Sequence, residues 1–154
     1  TLSKAYCLAG LRFGYAIAQP QVIHEMMKVK DSYNCDAVAI VAAAAAISDQ
    51  AYYKEKWELL KRERERLTVE LREMGWSVLL SQANFVLATA PDGHGQAAYL
   101  GLKEQGILVR YFDKPGLTDK IRITVGSNPQ NNALLAGIKG LTAGPSKTDR
   151  EFGI

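Results

Sequence analysis

The sequence predicts an α/β fold that ends in a small α+β unit, and three observations carry that prediction. One apolar stripe at four-three spacing runs through residues 50–74, the pattern of a single long helix. After Gly75 the hydrophobic period drops from roughly 3.6 to 2. From there to about residue 142, strand-like and helix-like segments follow in the order β-β-α-β-β-α. Residues 1–48 hold a loop, one strand pattern and two helical patterns, too little to enclose a core by themselves.

Taken in order, residues 1–10 (TLSKAYCLAG) are small and polar, then small and apolar, and read as a loop. In residues 11–18, Phe13, Tyr15 and Ile17 alternate with Arg12, Gly14 and Ala16, which predicts a strand. Pro20 suits the first turn of a helix running to about Lys30, with Val22, Ile23, Met26 and Met27 at helical spacing. Asn34 or Asp36 caps a second helix holding Ala42 to Ala46, whose small side chains let a neighbour approach closely.

In the long helix the stripe is Tyr53, Trp57, Leu60, Leu67, Leu71 and Met74, with Arg64 as its exception. Its other faces carry alternating charge, such as Glu58 before Arg62, and read as solvated. Gly75 stops it. Strands follow at 76–80 and 83–89, a turn at Pro91-Asp92-Gly93, a helix at 96–105 and strands at 108–112 and 121–125. Ser127 or Asn128 caps a last helix with Pro129 at its first position and Ala133, Leu134, Ile138 and Leu141 facing inward. The tail 144–154 has no periodicity and is expected to fray.

Composition narrows the function. Of 154 residues, 47% are hydrophobic and 23% charged, which is the range of globular proteins. No run approaches the ~18 apolar residues of a membrane span. The net charge of +3 is too mild to argue for nucleic acid. Cys7 and Cys35 form no CxxC pair, and the two histidines stand apart, so no metal-ligand spacing is present. A reducing, cytoplasmic setting fits two unclustered cysteines and the lack of a leader-like segment.

The chemistry concentrates at Thr1-Leu2-Ser3-Lys4 and Gly10-Leu11-Arg12-Phe13-Gly14. A lysine in a small-residue loop can condense with an aldehyde once its amine is deprotonated. Two hydroxyls, Thr1 and Ser3, flank it, and a guanidinium stands eight residues on. Those are phosphate donors, so a phosphorylated aldehyde such as pyridoxal phosphate matches the set. A solvated surface lysine fits the spacing equally well. Further on, Arg110 and Arg122 fall on adjacent predicted strands, and Arg122 and Thr124 face away from Ile121, Ile123 and Val125. Two such arginines can clamp an anion, although a solvated strand arginine is the commoner case. Tyr6 and Tyr15 read as packing residues.

The segment TLSKAYCLAGLRFGY resembles the cofactor-lysine segment of fold-type I aminotransferases. With SQANFVL (81–87), GILVRYFD (106–113) and IRITVG (121–126), in this order, the chain resembles the C-terminal portion of the histidinol-phosphate aminotransferases from Thr1 to about Leu141. The resemblance implies a fold-type I part, with residues 1–48 the end of a large cofactor-binding domain and 49–143 a linking helix and small C-terminal domain. It implies pyridoxal phosphate as cofactor, Lys4 as the lysine that holds it and shuttles the proton, and Thr1, Ser3 and Arg12 as ligands of its phosphate. Arg122 matches the arginine that grips the substrate carboxylate. Arg110 matches one that helps with the phosphate of histidinol phosphate, and Asn84 one that contacts substrate or orients Arg122. It also implies glutamate and 2-oxoglutarate as the other substrate pair, and a homodimer.

The family takes an acid for the pyridine nitrogen and a ring stacked on the cofactor from a long N-terminal region. The chain starts at Thr1, inside the lysine motif, so the expectation is a piece that is inactive alone. The rival readings are an aromatic aminotransferase or related decarboxylase, a non-catalytic module built on the long helix, and nucleic-acid binding. Six glutamates from Glu55 to Glu73 weigh against the last.

Overall fold

A computed structural model describes residues 1–142. They divide into two compact units, Thr1–Glu58 and a second that starts at Leu59. The expected fraying tail lies outside the described residues.

The first unit opens with the lysine loop and a short 3-10 turn at Ala9–Leu11. Helix α1 spans Pro20–Val29 with proline in its first turn, as its fixed φ favours. Helix α2 spans Ala37–Ser48. Its cap is Asp36, whose carboxylate accepts a 2.8 Å bond from the Ala39 N–H. Ala39, Ala43 and Ala46 are its buried residues, so the alanine run is a close-packing face. Helix α3 spans Gln50–Glu73.

The strand expected at 11–18 does not form. Arg12 sits at φ 52°, in the left-handed region, which breaks an extended run at its second residue. Among the described residues, no strand of the first unit lies beside 13–18 to complete a ladder. Alternation in sequence needs a pairing partner to become a strand, and Tyr15 is 60% exposed instead of packed.

In the second unit α3 ends at Gly75, at φ 83°. The Trp76 N–H reaches the Leu71 carbonyl at 3.0 Å and the Gly75 N–H reaches Arg72 at 2.9 Å. That pair of bonds closes a helix only with its stopping residue in the left-handed region, where glycine carries no Cβ penalty. Strands β1 (Ser77–Val78) and β2 (Phe85–Thr89), helix α4 (Gly95–Glu104), strands β3 (Arg110–Tyr111) and β4 (Lys120–Thr124) and helix α5 (Asn128–Thr142) follow. The β-β-α-β-β-α order read from the sequence is the order observed. The sheet runs β1-β2-β4-β3 with every pair antiparallel.

Strand alternation separates two faces. Val86 pairs with Ile123 and Ala88 with Ile121, and these four join one core with Leu67 and Leu71 of α3, Leu102 of α4 and Leu134 and Ile138 of α5. The helices therefore cover one face. The other face carries Leu87, Arg122 and Arg110 in register across three strands.

Arg64, the break in the apolar stripe, donates a 2.7 Å bond to the Ala83 carbonyl just ahead of β2. Glu63 is not part of a solvated face: it is 8% exposed. Its carboxylate accepts from Arg66 at 2.8 Å, from the Asn131 amide at 2.8 Å and from the Asn128 amide at 3.1 Å. Asn131 also bonds both backbone groups of Gly126, two residues past the end of β4. Ser127 precedes α5, and Gln130 reaches back to its N–H at 2.9 Å, half of a capping box.

The hydrogen bonds from Arg66, then Asn131 and Asn128, hold the Glu63 carboxyl down at about 2 instead of 4.5. A depressed pKa stabilises the fold above the unfolded value and loses that contribution as pH falls through the folded one. The chain should therefore lose stability between pH 4.5 and 2, and Glu63→Gln should flatten that part of the profile. At neutral pH, Glu63→Ala should cost about 2 kcal/mol, because buried donors lose their acceptor. Urea unfolding followed by tryptophan fluorescence measures both. A wild-type midpoint that is level across the window would contradict the assignment.

Candidate active site

The lysine loop is closed by backbone bonds. The Leu2 N–H donates to the Phe13 carbonyl at 3.2 Å, Leu8 to Leu2 at 3.2 Å and Cys7 to Lys4 at 3.1 Å. Leu2 is 1% exposed and anchors the loop. Gly14 passes so near Thr1 that a Cβ on it would lie 3.2 Å from the Thr1 Cα, so a larger residue would push the two arms apart.

This closure brings the sequence-predicted residues 1, 3 and 12 onto one small loop. The hydroxyls of Thr1 and Ser3 are 2.8 Å apart, and the Ser3 N–H donates to Thr1 Oγ1 at 3.2 Å. Arg12 follows the 3-10 turn and donates one bond, 3.1 Å, to the Ala9 carbonyl. Lys4 is exposed, and its amine has no hydrogen bond or ion pair among the described residues. Cys7 and Arg12 both sit in the left-handed region, at φ 56° and 52°. Such backbone costs of order 1–2 kcal/mol per residue. Both follow Lys4 within eight residues, and backbone of this kind persists only where the surrounding loop holds it.

On the second unit, Arg110 and Arg122 are direct cross-strand partners. Arg122 is half-buried. Its guanidinium lies 5.1 Å from the Phe85 ring centroid and 5.6 Å from that of Phe112, and Arg110 lies 5.3 Å from Phe112. The ring faces attract the cations. The Arg122 Nε is buried without a partner. Neither arginine makes an ion pair among the described residues. Asn84 precedes β2; its carbonyl accepts from Val125 at 2.9 Å, and its side chain makes no bond to Arg122.

Phe85 and Phe112 are functional candidates that sequence reasoning missed. The signal was available. Alternation in FVLAT puts Phe85 and Leu87 on one face, and Phe112 ends the RYF triplet that carries Arg110. Only the folded structure shows that both rings lie near Arg122.

Comparison with known proteins follows this geometry. The family described as "Aminotransferase class I and II" matches residues 1–138. A histidinol-phosphate aminotransferase 1 of Nostoc sp. is 49% identical over 141 residues, 92% of this chain and 40% of the relative. Among solved structures, the histidinol-phosphate aminotransferase of Clostridium acetobutylicum aligns at TM-score 0.84 and 28% identity, covering 94% of this chain and 45% of that one. The Sinorhizobium meliloti histidinol-phosphate aminotransferase, solved in complex with pyridoxal-5'-phosphate, aligns at 0.78 and 29%, covering 92% and 40%. The chain thus spans about two fifths of the length of the curated relatives it matches.

Cys7 gives a test of the loop geometry. Glycine there removes a left-handed penalty of about 1–2 kcal/mol and adds roughly 0.5–1 kcal/mol of backbone entropy cost. Cys7→Gly should therefore slow hydrogen exchange of the Leu8 amide, and Cys7→Val should speed it. The reverse order would show that residue 7 is not held at positive φ.

Proposed function

The chain belongs to the class I and II aminotransferases, and on that premise we propose that it carries the cofactor lysine and substrate arginines of an enzyme exchanging an amino group between L-histidinol phosphate and 2-oxoglutarate, with pyridoxal phosphate as cofactor. The observation that carries the reading is the exposed, unpaired Lys4 held in a closed loop beside the paired hydroxyls of Thr1 and Ser3. The names of the relatives support the substrate assignment.

The donors present fit a phosphorylated aldehyde. Thr1 and Ser3 offer hydroxyls, and Arg12 commits one of its donors to Ala9, leaving the others for a phosphate. Bound pyridoxal phosphate supplies the electron sink for the pair left behind when the substrate carbon loses its proton. Lys4 is assigned the tether to the cofactor and, once released, the base that takes that proton and returns it.

Arg122 is assigned the substrate carboxylate. Its guanidinium lies near two rings that offer no hydrogen-bond acceptor, so its donors remain available for a charge-assisted pair. Arg110, exposed across the strand pair, is assigned the phosphate of histidinol phosphate, and Asn84 a contact near Arg122. Residues 1–48 read as the end of the cofactor-binding domain, and 49–143 as the linking helix and small domain. A cytoplasmic homodimer that binds small molecules, with no nucleic-acid or membrane partner, completes the reading. Among the described residues no helix is long and apolar enough to cross a membrane. Turnover is assigned to a protein of the relatives' full length and not to these 154 residues alone.

Incubation with pyridoxal phosphate, borohydride trapping and peptide mapping test the assignment. The adduct should concentrate on Lys4 among eleven lysines, and Lys4→Ala should remove it. Label spread evenly over the lysines would overturn the cofactor reading. In a full-length protein carrying this sequence, Arg122→Gln should raise KM for 2-oxoglutarate by 10-fold or more, as expected for losing a charge-assisted bidentate pair. No turnover of the wild-type pair would remove the substrate assignment.

A further inference from the structure

We propose that the first turns of α3 anchor the Lys4 loop, with Trp57 and Tyr53 as positioning residues that hold the lysine through its own backbone. The inference rests on the assignment of Lys4 made above. Residues 5 and 6 directly follow the lysine, and their carbonyls lie in an exposed loop. The Trp57 Nε1–H donates to the Ala5 carbonyl at 2.9 Å, and the Tyr53 hydroxyl donates to the Tyr6 carbonyl at 3.3 Å. Gln50 donates to the Tyr6 hydroxyl at 3.3 Å. Positions 50, 53 and 57 share one helix face by their spacing, so a single rigid surface delivers all three donors.

The rings complete the grip. Tyr6 meets Tyr53 edge-on with centroids 4.8 Å apart and meets Trp57 at 5.5 Å and 90°. Packing alone would account for the ring contacts. It does not account for both polar tips bonding the two carbonyls next to Lys4 instead of turning to solvent. Tryptophan and tyrosine have only two side-chain torsions each, so fixing a loop with them costs little entropy. The left-handed backbone at Cys7, one residue further on, persists only where its surroundings hold it.

Trp57→Phe keeps a ring and removes the N–H; Tyr53→Phe keeps the ring and removes the hydroxyl. Tyr52→Phe is the control, because Tyr52 touches the Tyr53 ring but gives the loop no bond. On the 154-residue chain, two readouts are needed: hydrogen exchange at the Cys7 and Leu8 amides, and the borohydride-trapped yield on Lys4 across a pyridoxal phosphate titration. Both test variants should speed exchange and weaken trapping at Lys4 by about five- to tenfold, the worth of one hydrogen bond. Trapping at the other ten lysines, and both readouts in Tyr52→Phe, should stay level. If Trp57→Phe fails to fold, Tyr53→Phe decides alone. Where the wild-type chain prefers Lys4, unchanged trapping there in the variants, with or without faster exchange, overturns the proposal. If the wild-type chain shows no preference for Lys4 while exchange responds as expected, the lysine assignment fails and the anchoring of its loop stands.

Discussion

A carboxylate taken out of water must be met by donors, and in the second unit that requirement falls on Glu63. Its two oxygens accept from Arg66 on α3 itself and from Asn128 and Asn131 in the first turn of α5. Asn131 passes the constraint on, because it also holds the N–H and carbonyl of Gly126, two residues past the end of β4. One ionised group thus ties the start of α5 to the chain leaving β4. The depressed carboxyl shows that the donors more than offset the desolvation that opposes them. Since β4 pairs with both β2 and β3, its placement decides what stands opposite Arg122.

The lysine loop has a different logic. No large core forms around it, and few backbone bonds cross it. Order comes from one buried leucine, the bond from Leu2 to Phe13, and donors reaching in from α3. Two left-handed residues, Cys7 and Arg12, are held there by these contacts. Short loops with so few apolar contacts open at low free energy unless side chains pin them. The geometry of Lys4 therefore depends on residues some fifty positions away in sequence, a dependence invisible to any local motif.

What could be read in the sequence was whatever is periodic or punctuated. The long helix, its stop at Gly75, the β-β-α-β-β-α order and the Asp36 cap are local signals, and they hold. The segment 11–18 misled because alternation is necessary for a strand but does not supply a partner, and Arg12 was free to turn left-handed. Glu63 looked like one more charge in a charged helix. Its burial follows from Asn128 and Asn131, which only the packed fold brings near. Arg64 was noticed as a flaw in the stripe, yet its acceptor, a backbone carbonyl before β2, has no mark in sequence. For the candidate site residues, the resemblance named Thr1, Ser3, Lys4 and Arg12 in the first unit and Asn84, Arg110 and Arg122 in the second. It did not name the rings of Phe85 and Phe112, whose meaning depends on where folding brings them relative to the arginines.

Those rings bear on why two arginines face each other across a strand pair at all. Like charges in direct cross-strand register destabilise a sheet. Here both guanidinium groups lie near the Phe112 ring, Arg122 also lies near Phe85, and no carboxylate pairs with either among the described residues. The aromatic faces offset part of the repulsion by offering negative potential to each cation. They offer no hydrogen-bond acceptor, so the guanidinium donors, including the buried Arg122 Nε, keep their bonding capacity. A surface selected only for stability would put an acid between two such arginines. One that leaves them beside aromatic rings and unneutralised has its cheapest remaining partner in an anion from outside the chain. Binding that anion would relieve the repulsion while forming charge-assisted bonds to groups already in place, and pre-organisation of this kind lowers the entropic cost of capture. The unneutralised pair thus supports the anion-binding role proposed for Arg110 and Arg122, on physical grounds that stand apart from any family resemblance.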